Sequence, residues 1–476
     1  MNKTITRFEC IDGFAEELDE IIYEGISNWF VSFRSLFTVY SAHFSYLLIF
    51  FCLISCGILS YRHSVENGKK YTQFWYGALL QGFLSEMGPT ANKYWHAQAP
   101  VMCFGKKLPL HIIFLYPFTI YVCTLAVQRL QLNICTEPAA IGLLVMLMEI
   151  PFRMISVKFL HITYHDTEPL FFYKLCGVPW TEIFASLLFA TSYVAIYHGA
   201  KFYYSRDIST IWDREDPDKK ETLFVVLSGL LSPIAAFIQK LILFHFLHDF
   251  FNVNPISCLF FTVCLYMSFV LCFEPRRGEK HVTEDSTAKT YLFYQISLYF
   301  ACLLFLALFG RPQNEVSIGS HEPTGDCTTL VCSKFPLGKP TKRKKYLCAD
   351  EVAARKNFVY NFECLEEGPP CLSAVWYTIC GSPICNRFQF FLNIFSLALL
   401  VCSIFSKILF SDVKKMEIVK RLIVKLHLPV DFTREERAGR HTSEPVAPQE
   451  EEEVTVGYVL VQLDPLSKKC IPKKIQ

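Results

Sequence analysis

Nine apolar runs divide the chain, and they restrict its fold more than any other feature. A helix needs about 20 apolar residues to cross the hydrocarbon of a bilayer, and backbone groups there must be hydrogen-bonded within their own segment. The runs occupy residues 42–61, 74–89, 108–127, 138–155, 180–197, 223–247, 255–272, 291–309 and 388–410. The sequence therefore predicts an all-α fold, a polytopic transmembrane helix bundle with about nine spans.

The composition favours the same class of protein. The chain is 52% hydrophobic and 19% charged, whereas a soluble domain carries about 25% charged residues. Its mean hydropathy is +0.29. Membrane lipids are therefore the predicted partners. No DNA-binding or RNA-binding motif occurs, so no nucleic-acid partner is expected.

The apolar runs divide the chain into five parts. Residues 1–40 form an acidic, amphipathic segment, 41–309 contain eight spans, 310–386 form a cysteine-rich loop, 387–410 are the ninth span, and 411–476 are a tail. The acidic run 450–453 predicts that the tail is partly disordered. The run 74–89 is the weakest span because it is short and contains Gln81 and Glu86.

Basic residues predict the orientation of the spans. They cluster between spans five and six, between spans seven and eight, and after span nine. Basic residues are retained on the cytosolic side of a membrane, so the amino terminus is expected in the lumen and the tail in the cytosol. The loop 310–386 then lies in the lumen. Its basic run 342–345 carries little weight, because long loops escape the charge rule.

Seven cysteines lie in this predicted luminal loop. They are Cys327, Cys332, Cys348, Cys364, Cys371, Cys380 and Cys385. Such a density is typical of a disulfide-stapled loop in an oxidising compartment. Because seven is odd, one cysteine either stays free or pairs with Cys10, Cys103 or Cys176. Zinc binding is less favoured, since no clean pair of CxxC units is present.

The tail carries two further signals. Lys473 and Lys474 stand third and fourth from the end, where they resemble the dilysine signal that returns membrane proteins to the endoplasmic reticulum. This pattern predicts an endoplasmic reticulum membrane protein with a retrieval coat as a partner. Residues 454–463 alternate like a strand and could extend the sheet of a partner protein.

Two histidine pairs predict a metal site. His161 and His165 follow the fourth span, and His245 and His248 end the sixth. On an α-helix, spacings of four and three residues place both histidines of a pair on one face, as two ligands of one metal require. The predicted orientation puts both pairs on the luminal side. They would hold a zinc or iron ion.

Glu86 and Asp249 are the predicted catalytic groups beside this ion. A carboxylate near a metal-bound water can act in acid–base catalysis, and the apolar surroundings favour a lipid or isoprenoid substrate. Two other interpretations of the histidines remain open. They could relay protons, because histidine titrates near physiological pH, or they could simply satisfy helix ends and headgroups.

A second polar pattern lies deeper in the spans. Glu149 and Arg153 are four residues apart and spaced to form an ion pair, and Lys240 lies near the end of the sixth run. Charged residues inside a membrane are costly and usually face a polar cavity. These three residues therefore predict the path of a transporter or channel. A scaffold protein, acting through the cysteine-rich loop and residues 454–463, is a further hypothesis.

Residues 105–199 carry a resemblance to a known family. They include GKKLPLHIIFLYPFTIYVCTLAVQRL, GLLVMLMEIPFRMISVKFLH and YKLCGVPWTEIFASLLFATSYVAIYHG. The order of these segments resembles bacterial carotenoid-biosynthesis membrane proteins of the hydratase type, without a catalytic motif that can be carried over. The whole chain is also similar in type to uncharacterised multi-spanning proteins grouped as a domain of unknown function. Histidine-box lipid desaturases use adjacent histidines, and this chain has none.

Overall fold

The computed structural model describes nine ranges of the chain. They are residues 30–34, 44–87, 94–205, 218–272, 286–333, 341–348, 359–365, 368–370 and 374–410. The retrieval lysines Lys473 and Lys474, the strand-like run 454–463 and most of the acidic segment 1–40 lie outside these ranges. So does Cys371.

Long helices make up most of the described chain. They are α1 (Phe44–Glu66), α2 (Lys69–Glu86), α3 (Leu110–Gln128), α4 (Glu137–Lys158), α5 (Trp180–Ser205), α6 (Asp218–Lys240), α7 (Pro255–Cys272), α8 (Ser286–Phe309) and α9 (Arg387–Phe410). Within the described residues, eight helical segments are long and apolar enough to cross a membrane. Only α2 is not among them. The fold is therefore mostly helical, as predicted.

Helix α2 corresponds to the weak run 74–89, and its position explains its polarity. It has 18 residues, which gives a length of about 27 Å, and it packs along α3 and α6. Its polar residues Gln81, Ser85 and Glu86 are buried in the bundle. A helix whose polar side chains are buried against its neighbours does not need an apolar surface at those positions.

The sixth predicted span is not one regular helix. Helix α6 contains Pro233 and passes at Leu241 into a π-helix, Leu241–Phe250. Proline removes one backbone hydrogen bond and bends a helix. π-helical turns are rare overall, but those that occur are often at functional sites. His245, His248 and Asp249 all lie in the π-helix. Together α6 and the π-helix form one apolar segment, Lys219–Phe250.

Short strands at one end of the bundle form a cap, which comprises the described parts of residues 94–109, 159–179 and 311–386. They are β2 (Tyr94–His96), β3 (Val101–Cys103), β4 (Leu108–Pro109), β5 (Ile162–Tyr164), β6 (Lys174–Leu175), β7 (Val178–Pro179), β8 (Val316–Ser320), β9 (Leu330–Ser333), β10 (Thr341–Lys344), β11 (Tyr360–Asn361) and β12 (Trp376–Gly381). All pairings between these strands are antiparallel. Strand β2 pairs with β5, and β12 lies between β11 and β8.

The cap also pairs with a strand from the N-terminal segment. The sequence predicts an acidic, amphipathic segment over residues 1–40, and within it Val31–Phe33 forms strand β1, which pairs with β3. This pairing satisfies the backbone groups of these three residues.

Two disulfides join residues of the cysteine-rich loop. They link Cys327 to Cys348 and Cys364 to Cys380, as a stapled loop predicts. Cys103 and Cys176 are free thiols, so neither supplies the luminal partner that the odd cysteine count suggested. The structure thus supports disulfide pairing within the loop.

Candidate functional site

A cavity of about 330 Å³, called the polar cavity after its charged lining residues, lies between helices α2 to α6. Most of its wall is apolar. Its polar lining residues are Gln81, Ser85, Glu86, Tyr94, Tyr116, Glu149, Arg153, Glu182, Ser186 and Lys240. Ligand sites in proteins are commonly apolar cavities of about 300–1,000 Å³ with a few convergent polar groups. The cavity therefore has the size and lining of a site for a small or slender ligand.

Glu86 is fixed at the end of α2 by three donors. The Tyr116 hydroxyl donates to Oε1 at 2.5 Å, and the Tyr94 hydroxyl donates to Oε2 at 2.8 Å. The His96 Nε2 lies 3.2 Å from the same Oε2. Tyr94 and His96 both come from cap strand β2. Glu86 therefore ties the cap to the cavity, and the histidine that it meets is His96 rather than one of the four predicted ligands.

Arg153 forms the centre of a second charged group. Its Nη2 lies 3.2 Å from Glu149 Oε2, and its Nη1 lies 3.8 Å from Glu182 Oε2. The Ser186 hydroxyl donates to Glu149 Oε2 at 2.7 Å. The pairing of Glu149 with Arg153, predicted from their spacing, is confirmed. Glu182 lies in the first turn of α5 and brings a second carboxylate to the same guanidinium.

The cavity has more carboxylates than fixed cations. Glu86, Glu149 and Glu182 face Arg153 and Lys240 around one space. Carboxylates clustered in a low-dielectric interior attract a proton or a cationic group. The cavity is therefore better suited to a neutral or positively charged head group than to an anionic one.

Two buried polar atoms on the cavity lining have no partner within the described residues. They are Gln81 Oε1, an acceptor, and Arg153 Nε, a donor. A buried polar atom without a hydrogen bond costs about 1–3 kcal/mol, so native proteins rarely leave such atoms unsatisfied.

One wall of the cavity faces away from the rest of the protein. Helix α6 contributes Pro233, Ile234 and Phe237 to the lining, and Ile234 and Phe237 are 58% and 51% exposed. Because α6 belongs to a segment long enough to cross a membrane, these exposed side chains would meet lipid. Among the described residues, helix α6 would then be the wall between these polar groups and hydrocarbon.

The four predicted metal ligands each have a different partner. His161 Nε2 lies 3.4 Å from Ser45 Oγ, and His165 Nδ1 lies 2.5 Å from Glu322 Oε1. His245 Nδ1 lies 3.1 Å from Asp249 Oδ2. The remaining ligand, His248, has its Nδ1 2.8 Å from the carbonyl oxygen of Val253.

The predicted metal site assumed that both histidines of each pair lie on one face of an α-helix, and the structure differs from this assumption. His161 and His165 flank strand β5 rather than sharing a helix, and four extended residues span about 13 Å. His245 and His248 lie in a π-helix, whose i→i+5 hydrogen bonds change which residues share a face. Among the described residues, no group of three His, Cys, Asp or Glu side chains is arranged to hold a metal. A zinc or iron site stays a prediction.

The helices, cap and cavity described above fall within one family. Residues 16–410 match a domain of unknown function, DUF7802. The chain belongs to the DUF7802 family. No curated protein and no solved structure matches it. The similarity to a family of unknown function is thus confirmed, and the resemblance of residues 105–199 to carotenoid-biosynthesis proteins receives no support.

Several residues that line the cavity of this DUF7802 domain were not predicted from the sequence. Tyr116 lies within an apolar run, Glu182 opens a span, and Tyr94 stands in a short loop, so none of them forms part of a spaced pattern. Asp249 bonds His245 and does not line the cavity. The available signal was the rarity of carboxylates in apolar runs. It had already selected Glu149, and it applied equally to Glu182.

Proposed function

We propose that this DUF7802 protein is a multi-pass membrane protein that binds one lipid-like, amphipathic molecule in the polar cavity. Glu86, Glu149, Arg153 and Glu182 would contact its head group, and the α6 wall its apolar chain. The observation that carries the proposal is the burial of these charged groups one helix away from lipid-facing side chains. Ionisable groups at membrane depth are costly and usually functional.

The lining indicates the chemistry of the head group. Three carboxylates against two fixed cations favour a neutral or cationic head over a phosphate. The hydroxyl groups of Ser186 and Tyr116 on the lining favour a ligand hydroxyl, which can donate to their oxygens. A long-chain amino alcohol combines both features. If the bound lipid is also modified, Glu86 is the acid–base group best placed for it, because its proton network reaches the cavity through Tyr94 and Tyr116.

Crosslinking with photoactivatable sphingosine tests this proposal. We expect labelled peptides from α2, α5 or α6 in the purified full-length protein, and at least about tenfold less labelling by photoactivatable phosphatidic acid, a difference of about 1.4 kcal/mol. Ala185 lines the cavity, and Ala185→Trp should reduce sphingosine labelling by at least about tenfold because the indole fills the space.

Ala195→Trp is the matched control for this experiment. Ala195 lies on the same helix but lines a different cavity, beside Tyr266 and Phe269. The same substitution there should preserve the labelling of the first cavity. Equal loss in both variants, or a preference for phosphatidic acid, would contradict the proposed site or its head-group chemistry.

Transport of such a molecule is the second candidate function. It is favoured by one observation: Lys240, Glu149 and Arg153, which the sequence assigned to a transport path, all line the cavity. An enzyme would retain the molecule for chemistry, whereas a transporter would release it on the other side. Appearance of the lipid in the opposite leaflet of proteoliposomes separates the two functions.

We also propose that the cap lies in the lumen of the endoplasmic reticulum. The cap disulfides fit an oxidising compartment, the retrieval lysines Lys473 and Lys474 require a cytosolic tail, and α2 then crosses the membrane as a ninth, shielded span. Two exposed thiols test this orientation. Cys385 belongs to the cap, and Cys135 lies in the α3–α4 loop at the other end of the bundle.

A membrane-impermeant maleimide should distinguish these thiols in sealed microsomes. We expect Cys135 to react at once and Cys385 to react only after the membrane is permeabilised with detergent. Single Cys→Ser variants at each position identify the labelled peptide. The reverse order of reaction would place the cap in the cytosol and remove the basis for retrieval.

A further inference from the structure

A second cavity lies at the end of the bundle opposite the cap, where α4 begins and α5 ends. Its volume is about 620 Å³, within the range of about 300–1,000 Å³ that is common for ligand sites. It shares no lining residue with the polar cavity. Between the two cavities α4 and α5 pack closely, because a Cβ at Gly142 would overlap Thr191 Oγ1. The second cavity is therefore a separate site.

Small residues form one wall of the second cavity. Ala195 and Gly199 lie four residues apart on α5, so they share one face of the helix, and Ala139 lines the cavity from α4. A Cβ added at Gly199 would meet no heavy atom within 4 Å, so open space reaches the helix backbone there. The rings of Tyr266 and Phe269 come from α7. A smooth helix surface near aromatic rings fits a flat, rigid molecule.

Two hydroxyl oxygens supply hydrogen-bond acceptors to this cavity. The Tyr266 hydroxyl donates to Gln239 Oε1 at 2.8 Å, and the Gln239 amide donates in turn to Ser192 Oγ at 3.1 Å. The Thr191 hydroxyl donates to the carbonyl oxygen of Leu187 at 2.8 Å. Because both hydroxyl protons are already used, the oxygens of Tyr266 and Thr191 can still accept but not donate. A ligand hydroxyl is a donor that matches them.

The charge at the second cavity is compensated within the protein. Among the described residues that line it, His198 is the only one with an acidic or basic side chain. Its Nε2 lies 3.4 Å from Oε2 of Glu137, in the first turn of α4, and both side chains are at most 3% exposed. The polar cavity, in contrast, has three carboxylates. The second cavity therefore favours an uncharged ligand.

The second cavity borders the surface that would face lipid. Phe202 of α5 and Leu265 and Phe269 of α7 line it, and they are 43%, 41% and 40% exposed. Both helices belong to segments that are long and apolar enough to cross a membrane. A molecule dissolved in the bilayer could therefore reach the cavity without passing through water.

We propose that the second cavity binds a sterol. The sterol hydroxyl donates to the oxygens of Tyr266 and Thr191, and the rings lie along Ala195 and Gly199. A sterol combines a flat, rigid ring system, one hydroxyl and no charge, which are the three properties that the cavity favours. Diacylglycerol shares the hydroxyl and the neutrality, but its flexible chains have no need of a smooth wall. This site depends neither on the polar cavity nor on the proposed function.

Photoactivatable cholesterol in phosphatidylcholine proteoliposomes tests this proposal on the full-length protein. We expect labelled peptides from the start of α4, the end of α5 or α7. Excess cholesterol should lower the labelling at least about fivefold. The same amount of dioleoylglycerol, or of the 3-keto analogue cholestenone, should lower it less than about twofold, because cholestenone has no hydroxyl to donate. Equal competition by either compound would overturn the proposed ligand chemistry.

Gly199→Leu fills the second cavity with little risk to folding. The position is open, and leucine favours a helix more than glycine does, so the melting temperature should not fall. Cholesterol labelling should fall at least about fivefold, and Ala195→Trp should have the same effect. Tyr266→Phe should lose the preference for cholesterol over cholestenone. Wild-type labelling in both cavity-filling variants, or a retained preference in Tyr266→Phe, would overturn the site.

Ala185→Trp is the reciprocal control, because it fills the polar cavity and leaves the second one open. It should keep wild-type cholesterol labelling, and Gly199→Leu should keep the labelling of the polar cavity by sphingosine. Loss of cholesterol labelling in Ala185→Trp would contradict a separate sterol site. Because each ligand has its own cavity-filling variant, a failure of the sterol site is distinguishable from a failure of the proposed function.

Discussion

Replacing Arg153 by methionine should lower the free energy of unfolding by about 3–5 kcal/mol. The guanidinium lies between Glu149 and Glu182, and the three side chains are 14%, 2% and 9% exposed. Without Arg153 these two carboxylates would face each other in a low-dielectric interior, with Lys240 as the other cation on the cavity lining. Breaking a buried pair by removing one partner leaves an uncompensated charge, which is the costly case. Unfolding of the purified protein in detergent, followed by intrinsic fluorescence, measures the loss.

Two further variants separate charge from packing in this prediction. Glu149→Gln combined with Arg153→Met should be less destabilised than Arg153→Met alone, because one of the orphaned charges is also removed. Arg153→Lys keeps the charge but not the two-armed geometry, so it should show an intermediate loss. A loss below about 1 kcal/mol in Arg153→Met would mean that the cavity is hydrated well enough to screen its charges.

Acid should destabilise the protein through His321, a buried residue of the cap. Its Nδ1 lies 3.1 Å from the Thr163 hydroxyl, and its ring packs on Tyr377. Burial disfavours the charged imidazolium and lowers the pKa of His321 to about 3, whereas the unfolded value is about 6.5. Between these values the unfolded chain binds a proton that the folded chain does not. The contribution of neutral His321 to the free energy of unfolding is complete above about pH 6.5 and is lost as the pH falls below that value.

The size of this effect follows from the two pKa values. From pH 7.5 to pH 5.5 the His321 contribution should fall by about 1.4 kcal/mol, and at pH 4.5 by about 2.7 kcal/mol. The His321→Gln variant has no imidazole to protonate. Its free energy of unfolding should therefore fall less than that of the wild-type protein, by about 1.4 kcal/mol at pH 5.5 and about 2.7 kcal/mol at pH 4.5. Unfolding of both proteins at the three pH values measures the difference. Parallel pH profiles would show that His321 does not control the acid sensitivity of the cap.

The cap matters for the cavity because its strands hold the charged groups. Strand β2 supplies Tyr94 and His96 to Glu86, and its partner β5 supplies Tyr164, whose hydroxyl accepts a hydrogen bond from Arg153 at 3.4 Å. The Thr163 hydroxyl in β5 contacts His321 of the disulfide-bonded part of the cap. Protonation of His321 would therefore loosen the support of both carboxylate groups. The cap is part of the site's structure.

Local patterns in the sequence predicted the features that depend on one segment alone. The apolar runs placed eight of the helical spans, because the length of an apolar run decides whether it can cross hydrocarbon. The four-residue spacing of Glu149 and Arg153 predicted their ion pair, because residues one turn apart on a helix are neighbours. The density of cysteines predicted disulfides in the loop, although not which cysteines pair.

Tertiary structure alone decided which of these segments meet. Glu86 and Glu182 lie almost one hundred residues apart in sequence, yet both line one cavity. The histidine spacings assumed α-helical faces, whereas one pair flanks β5 and the other lies in a π-helix. Helix α2 could be polar because α3 and α6 shield it. A sequence pattern indicates which face of a segment is apolar or polar. Packing between segments far apart in the chain determines which segment that face contacts.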